Sequence, residues 1–244
     1  MVSVDWPGRI RDALDRDRFA LVAQRIVDVG SGETVRHELF LRMVEEERLI
    51  PARDFVSVAE EAGLIREVDQ WVTRQAIEIA ASGRPIHLNL SMRSVDAELL
   101  DLIRERLETT DADPGDVVFE LSEKQLGEAG EEEAGFVRAV GELGCALAVD
   151  DFVGEGGSAL LRRFPLGYIK LAPELLRGIA ADSASRSKAD VIVLAGRRLG
   201  LGIISHGVKD LVTLEAIADL GVDEAQGYVF GPMEPAASAL GISA

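Results

Sequence analysis

Eight short apolar runs, separated by segments of helical period, constrain this chain more than any other feature. The runs are Ala20 to Val27, His37 to Met43, Ile86 to Leu90, Val117 to Leu121, Ala146 to Val149, Tyr168 to Leu171, Gly202 to Ile204 and Ala225 to Phe230. Between most of them lie amphipathic stretches: Phe55 to Ala62 with Val68 to Ala81, Ala97 to Leu107, Phe136 to Leu143, Glu174 to Ala181, Ala189 to Leu199 and Leu211 to Leu220. Their apolar residues recur at three- and four-residue spacing, as one-sided helices require. Strand–helix alternation repeated about eight times over roughly 250 residues predicts an α/β fold, a single TIM-like (β/α)8 barrel. An extra N-terminal helix from Pro7 to Arg18 precedes the first run. A doubly wound open sheet is the alternative, but no Gly-rich phosphate loop follows the first strand. The longest polar stretches, Thr109 to Gly115 and Asp182 to Lys188, fit loops inside one domain. The expected organisation is an N-terminal helix over 1–18 and a barrel domain over 19–240.

Composition narrows the function classes. A chain of 244 residues, 47% hydrophobic, can bury a full core. Its net charge of −17 argues against a nucleic-acid polymer as partner, because such binding needs a basic face. An anionic small ligand would need local compensation from a metal or from arginines. The single cysteine, Cys145, lies in an apolar run, so no disulfide framework is possible and a reducing compartment is expected. Met1 to Arg18 alternates charged and apolar residues instead of forming a signal peptide. No stretch approaches the roughly 20 apolar residues of a membrane span. A cytoplasmic location without a membrane partner is therefore expected. The acidic triplets Glu45 to Glu47 and Glu131 to Glu133 read as solvated surface.

Each apolar run carries a polar residue within it or near its C-terminal end. In chain order these are Gln24, Glu38 with Arg42, Asn89, Glu120 with Glu123, Asp150 with Asp151, Lys170, His206 and Gln226. In a βα barrel the C-terminal strand ends converge on one mouth, where catalytic groups are presented. The carboxylates with the Asn89 carbonyl form an oxygen-rich set suited to Mg²⁺ or Mn²⁺. Asp150-Asp151, at the end of Ala146-Leu147-Ala148-Val149, is the sharpest element. Strand alternation sends successive side chains to opposite faces, so the two acids should leave in different directions. One would face the site and the other would bridge or reach a neighbouring ion. His37 and His87 lie beside motif positions and are expected to face the helices as packing groups.

These residues resemble the EAL-type domain of cyclic di-GMP phosphodiesterases, over nearly the whole chain from Phe19 to Pro235. The family's Glu-Ala-Leu-Leu-Arg motif is Glu38-Leu39-Phe40-Leu41-Arg42 here, and its Val-Asn-Leu-Ser segment is Leu88-Asn89-Leu90-Ser91. Glu-x-Thr-Glu is Glu120-Leu121-Ser122-Glu123, and Asp-Asp-Phe is Asp150-Asp151-Phe152. Lys-Ile-Asp begins at Lys170, and Gln-Gly-Tyr is Gln226-Gly227-Tyr228. The resemblance implies a barrel that binds cyclic di-GMP across its mouth and opens one phosphodiester bond with divalent metals. It implies Glu38, Asn89, Glu120 and Asp150 as ligands of a first metal, with Asp151 at a second metal and Asp150 bridging. Lys170, Glu123 and His206 are the expected catalytic positions, and Lys170 would orient or deprotonate the water. Arg42 would contact phosphate, and Gln24 and Gln226 would line the nucleotide site.

The chain also departs from the family's pattern. Ala-Glu-Gly-Val-Glu is Ser205-His206-Gly207-Val208-Lys209, so both glutamates are replaced, the first of them belonging to the second-metal site. The loop Gly-Thr-Gly-Tyr-Ser-Ser, which in the family couples dimerisation to metal binding, is Val153-Gly154-Glu155-Gly156-Gly157-Ser158. Lys-Ile-Asp ends in Ala172. Reduced phosphodiesterase activity is therefore expected, giving linear pGpG. Two other readings stay open: a catalytically inactive cyclic di-GMP receptor or protein-interaction module, and a metal-dependent hydrolase of another phosphodiester. A homodimer or a regulatory protein partner is compatible with each.

Overall fold

A computed structural model of the chain describes residues 4–46 and 48–242; Met1 to Ser3, Glu47 and the last two residues lie outside the described residues. In chain order the strands are β1 (Phe19–Asp28), β2 (Thr34–Glu45), β3 (Arg48–Pro51), β4 (Ile86–Asn89), β5 (Val117–Ser122), β6 (Ala146–Phe152), β7 (Tyr168–Leu171), β8 (Gly202–Ser205), β9 (Glu224–Gln226) and β10 (Glu234–Pro235). The helices are α1 (Trp6–Asp15), α2 (Val56–Glu61), α3 (Ile65–Ala80), α4 (Ala97–Thr109), α5 (Glu123–Glu128), α6 (Glu131–Glu142), α7 (Gly157–Arg163), α8 (Pro173–Leu176), α9 (Ser183–Arg198), α10 (Leu211–Asp219) and α11 (Ala236–Leu240). Seven strands run parallel in the order β2-β4-β5-β6-β7-β8-β9, and β1 closes the barrel between β9 and β2.

The barrel is the expected one, but its first strand runs against the others. Only Val29 to Glu33 separate β1 from β2, held by the Asp28 carboxylate accepting from the Ser31 backbone and hydroxyl. Five residues cannot hold a helical crossover, so the chain turns back as a hairpin and β1 pairs antiparallel with β2 and β9. The expected strand over Ala225 to Phe230 is also shorter. It ends at Gln226, because the chain crosses the Val208 backbone at Gly227, where a Cβ would overlap it.

Burial explains why the strands hold. Val117, Val118, Phe119, Ile169 and Leu171 are fully enclosed, as strands covered on both faces demand. Each such side chain contributes about 1.5–3 kcal/mol. Part of the acidity is structural as well. Asp5, Asp96, Asp182 and Asp210 cap α1, α4, α9 and α10, each accepting a backbone N–H of the first turn. Glu45, read as solvated, instead ends β2 in an ion pair with Arg9 of α1. That pair helps to seat α1 beside Phe55, on which Trp6 stacks.

Candidate functional site

Sheet register brings the strand-end residues to one level. Glu38 on β2 faces Gln24 on β1, Asn89 on β4 faces Glu120 on β5, and Ser122 faces Asp150 on β6. Lys170 on β7 is the centre of the cluster. Its Nζ lies 2.6 Å from Glu120 Oε2, 2.8 Å from Glu38 Oε2 and 3.4 Å from Asp150 Oδ1. Lys170, Glu38 and Glu120 are all buried. Burial alone would depress the lysine, but Asp150, Glu120 and Glu38 hold it well above its ordinary value. Lys170 is accordingly an ammonium ion, suited to orienting and neutralising groups around it and unsuited in this state to removing a proton.

One ammonium does not balance three carboxylates. Burial, then repulsion from Glu120, raises Glu38 above the usual carboxylate range, and burial raises Glu120 in the same direction. Asp150 goes the other way: Lys170 and His206 outweigh its burial and lower it. Its Oδ1 accepts no hydrogen bond among the described residues. Asn89, exposed at the mouth, donates through Nδ2 to Glu38 Oε1 at 2.8 Å, which leaves its carbonyl oxygen available. Excess buried negative charge surrounded by oxygen donors fits a hard divalent cation.

Asp150 and Asp151 do not diverge as strand alternation predicts. Val149 pairs with Ile169 and Phe152 with Leu171, so the two aspartates on β6 stand opposite Lys170 alone. This is a bulge, with Asp151 in the left-handed region at φ 49°. The turn brings both acids to the same imidazole: His206 Nε2 lies 3.6 Å from Asp150 Oδ1 and 3.2 Å from Asp151 Oδ1. Donor atoms of these three residues lie within 4.8 Å of one another. Burial works against protonation of His206, but the close approach of the Asp151 carboxylate and the charge of Asp150 raise it above an ordinary histidine.

Glu123, expected among the catalytic groups, instead directs its carboxylate to the backbone after β6 and makes no hydrogen bond or ion pair to the cluster among the described residues. Its Oε2 accepts from the Val153 and Gly154 backbones at 2.7 and 3.1 Å, and its Oε1 from Gly156 at 2.7 Å. Both oxygens thus brace the loop that follows β6. Glu123→Ala is expected to destabilise the protein by on the order of 3 kcal/mol, since several charge-assisted hydrogen bonds are lost. Limited proteolysis should then cut at 153–157; an intact loop and an unchanged melting temperature would refute the bracing role.

Two clefts meet the cluster. One, of about 420 Å³, is lined by Arg42, Arg53, Asn89 and Met233. Arg42 is steadied there by the Leu41 carbonyl and the Met233 sulfur. The other, of about 500 Å³, is lined by Asp151, Arg177 and Lys209. Lys209 is exposed and forms no ion pair among the described residues. Gln24 and Gln226 are buried in the wall, and Gln226 follows Ala225, the partner of Ser205, placing it level with His206.

His87 does not face the helices. His87 and Asn89 are two residues apart on β4 and therefore share a face, so the imidazole enters the barrel and meets Glu120 Oε1 at 2.7 Å. A second group that sequence reasoning missed is Asp69 on α3. It accepts from the Ser91 backbone at 2.9 Å, while the Ser91 hydroxyl donates to Glu60 at 2.6 Å. Burial pushes the Asp69 carboxyl up to about 7. The legible signal was a charge on the buried stripe Ile65, Val68, Val72, Ala76 of an amphipathic helix.

An α/β barrel with one reversed strand and an acidic, lysine-centred mouth defines the structural class. The chain belongs to the EAL domain family, whose model matches residues 8–233. Cyclic di-GMP phosphodiesterase PdeR of Escherichia coli (strain K12) is 30% identical over 237 residues, 93% of this chain and 36% of the relative. PdeF, a cyclic di-GMP phosphodiesterase of the same organism, is 29% identical, covering 93% of this chain and 32% of the relative. The chain thus spans about a third of the length of these curated relatives. Among solved structures, a PaMucR phosphodiesterase in complex with c-di-GMP superposes with a TM-score of 0.89 at 26% identity, covering 97% of this chain and all of that one. The FimX EAL domain of Xanthomonas citri, with a TM-score of 0.88 at 24% identity over 94% of this chain and 93% of that one, shares the fold. No helix among the described residues is long and apolar enough to cross a membrane.

Proposed function

We propose that this chain binds cyclic di-GMP across the barrel mouth and hydrolyses one phosphodiester bond to linear pGpG at a reduced rate. The observation that carries this reading is the ring of Glu38, Glu120 and Asp150 around the Lys170 ammonium, tied through Asn89 to the cleft that Asn89 and Arg42 line. Glu38, Asn89, Glu120 and Asp150 would hold a first Mg²⁺ or Mn²⁺; Asp150, Asp151 and His206 would hold a second. Bound there, divalent cations neutralise phosphate charge and acidify an attacking water. Lys170 keeps the three carboxylates converged and adds a fixed positive charge where the phosphate oxygens gain negative charge. Arg42 donates to phosphate from the cleft wall. Gln24 and Gln226 back the nucleotide site, and Glu123 acts through the loop it braces.

The reduced rate follows from His206. When protonated, the His206 ring pairs with Asp150 and Asp151 and competes with a cation for the same oxygens. The same ion pairs support a second reading, a cyclic di-GMP receptor without turnover. Incubating the protein with cyclic di-GMP and either Mg²⁺ or Mn²⁺, and measuring both linear product and bound ligand, separates the two. Slow product formation, greater with Mn²⁺, is expected; tight binding without product leaves the receptor, and neither binding nor product refutes both.

A further inference from the structure

Glu120 is held at both ends of its carboxylate. Lys170 takes Oε2, and His87 Nδ1 lies 2.7 Å from Oε1, with both side chains fully removed from solvent. An ionised Glu120 only accepts, so in that state Nδ1 carries the proton and donates. Among the described residues His87 Nε2 has no hydrogen-bond partner, which leaves that bond as the ring's one polar tie there. The ring is also fixed by packing. His87 pairs across the sheet with Glu38 and Val118, and its ring centroid lies 5.6 Å from that of Tyr168, the two rings tilted by 58°. Tyr168 is in turn covered by the Arg36 guanidinium, which forms a fork on Glu224. The imidazole thus stands on a rigid floor one step below the carboxylate ring.

We infer that His87 is a positioning residue for metal binding: its Nδ1–H fixes the orientation of the Glu120 carboxylate that would ligate the cation. This rests on the metal reading proposed above. Hydrogen-bonded partners of metal-binding groups typically change affinity by about 10–100-fold when removed. A packing role alone predicts that any side chain of suitable volume will serve. A positioning role predicts that a donor is needed where Nδ1 lies.

Asparagine places its amide nitrogen near the Nδ1 position, whereas leucine fills space without donating. Mn²⁺ binding by calorimetry, with thermal unfolding in EDTA as a fold control, compares His87→Asn and His87→Leu with the unsubstituted protein. His87→Asn should bind within about 3-fold of the unsubstituted protein, and His87→Leu should bind about 10–100-fold more weakly while still unfolding cooperatively. Unchanged binding in His87→Leu, or equal weakening in both variants, overturns the assignment alone. If His87→Leu does not fold, His87→Val takes its place. Failure of both apolar variants to fold while His87→Asn folds assigns His87 to stability and overturns the positioning role. Absence of Mn²⁺ binding by the unsubstituted protein overturns the metal reading and this assignment together.

Discussion

Lys170→Met is expected to reduce turnover of cyclic di-GMP by about 10²–10³-fold, the usual consequence of losing a preorganised positive group at a site of developing negative charge. The substitution should also destabilise the fold by about 3–5 kcal/mol, because it leaves buried carboxylates without their countercharge. The stability loss has a pH signature whose sign follows from Glu38 and Glu120. Both carboxyls already lie above their ordinary range in the folded protein. A carboxyl raised on folding costs stability as pH rises through the window between its unfolded and folded values. Removing Lys170 raises both further, so the penalty should be smallest at acidic pH and grow as pH rises. Saturating Mn²⁺ should restore part of the lost melting temperature, since a cation replaces the missing ammonium charge. Thermal unfolding across pH, with and without metal, provides the check; a penalty that does not vary with pH contradicts the electrostatic account.

His206→Glu is expected to raise turnover by roughly 10-fold or more and to shift the preference toward Mg²⁺. The imidazole meets both Asp150 and Asp151, and those aspartates favour its protonated form. A glutamate supplies an oxygen donor and removes the competing positive charge. It also adds a further acid to a cluster already overloaded with negative charge. The variant should therefore be less stable than the unsubstituted protein in EDTA and regain that stability on adding metal. Initial rates with each metal, alongside melting curves, test both halves. An unchanged rate in a metal-stabilised variant places the defect at the altered loop from Val153 to Ser158.

The readable part of this protein was periodic. Apolar runs separated by one-sided helices predicted the barrel, and polar residues near the run ends predicted Glu38, Asn89, Glu120, Asp150 and Lys170 as one site. Their side chains do meet, because parallel strands in register bring their C-terminal ends to one level. The reversal of β1 was also within reach, since the gap between Val27 and His37 is too short for a crossover helix. His87 was misplaced for a simpler reason: a period of two puts it on the same face as Asn89.

Other features depended on pairing between distant strands. The bulge that turns Asp151 toward His206 exists because β7 offers one residue, Lys170, to two on β6. No local property of Val149-Asp150-Asp151-Phe152 requires it. Glu123 sits in a motif beside Glu120, yet its carboxylate is drawn to the loop after β6 by three backbone donors.

By itself, then, the sequence determined the barrel and the polar groups that its strands carry, because side-chain alternation and apolar periodicity are local properties of the chain. The tertiary structure decided which oxygen meets which cation, which acid braces a loop and which histidine holds a carboxylate. Those outcomes turn on register shifts of a single residue and hydrogen bonds a few ångströms long, made between segments far apart in the chain.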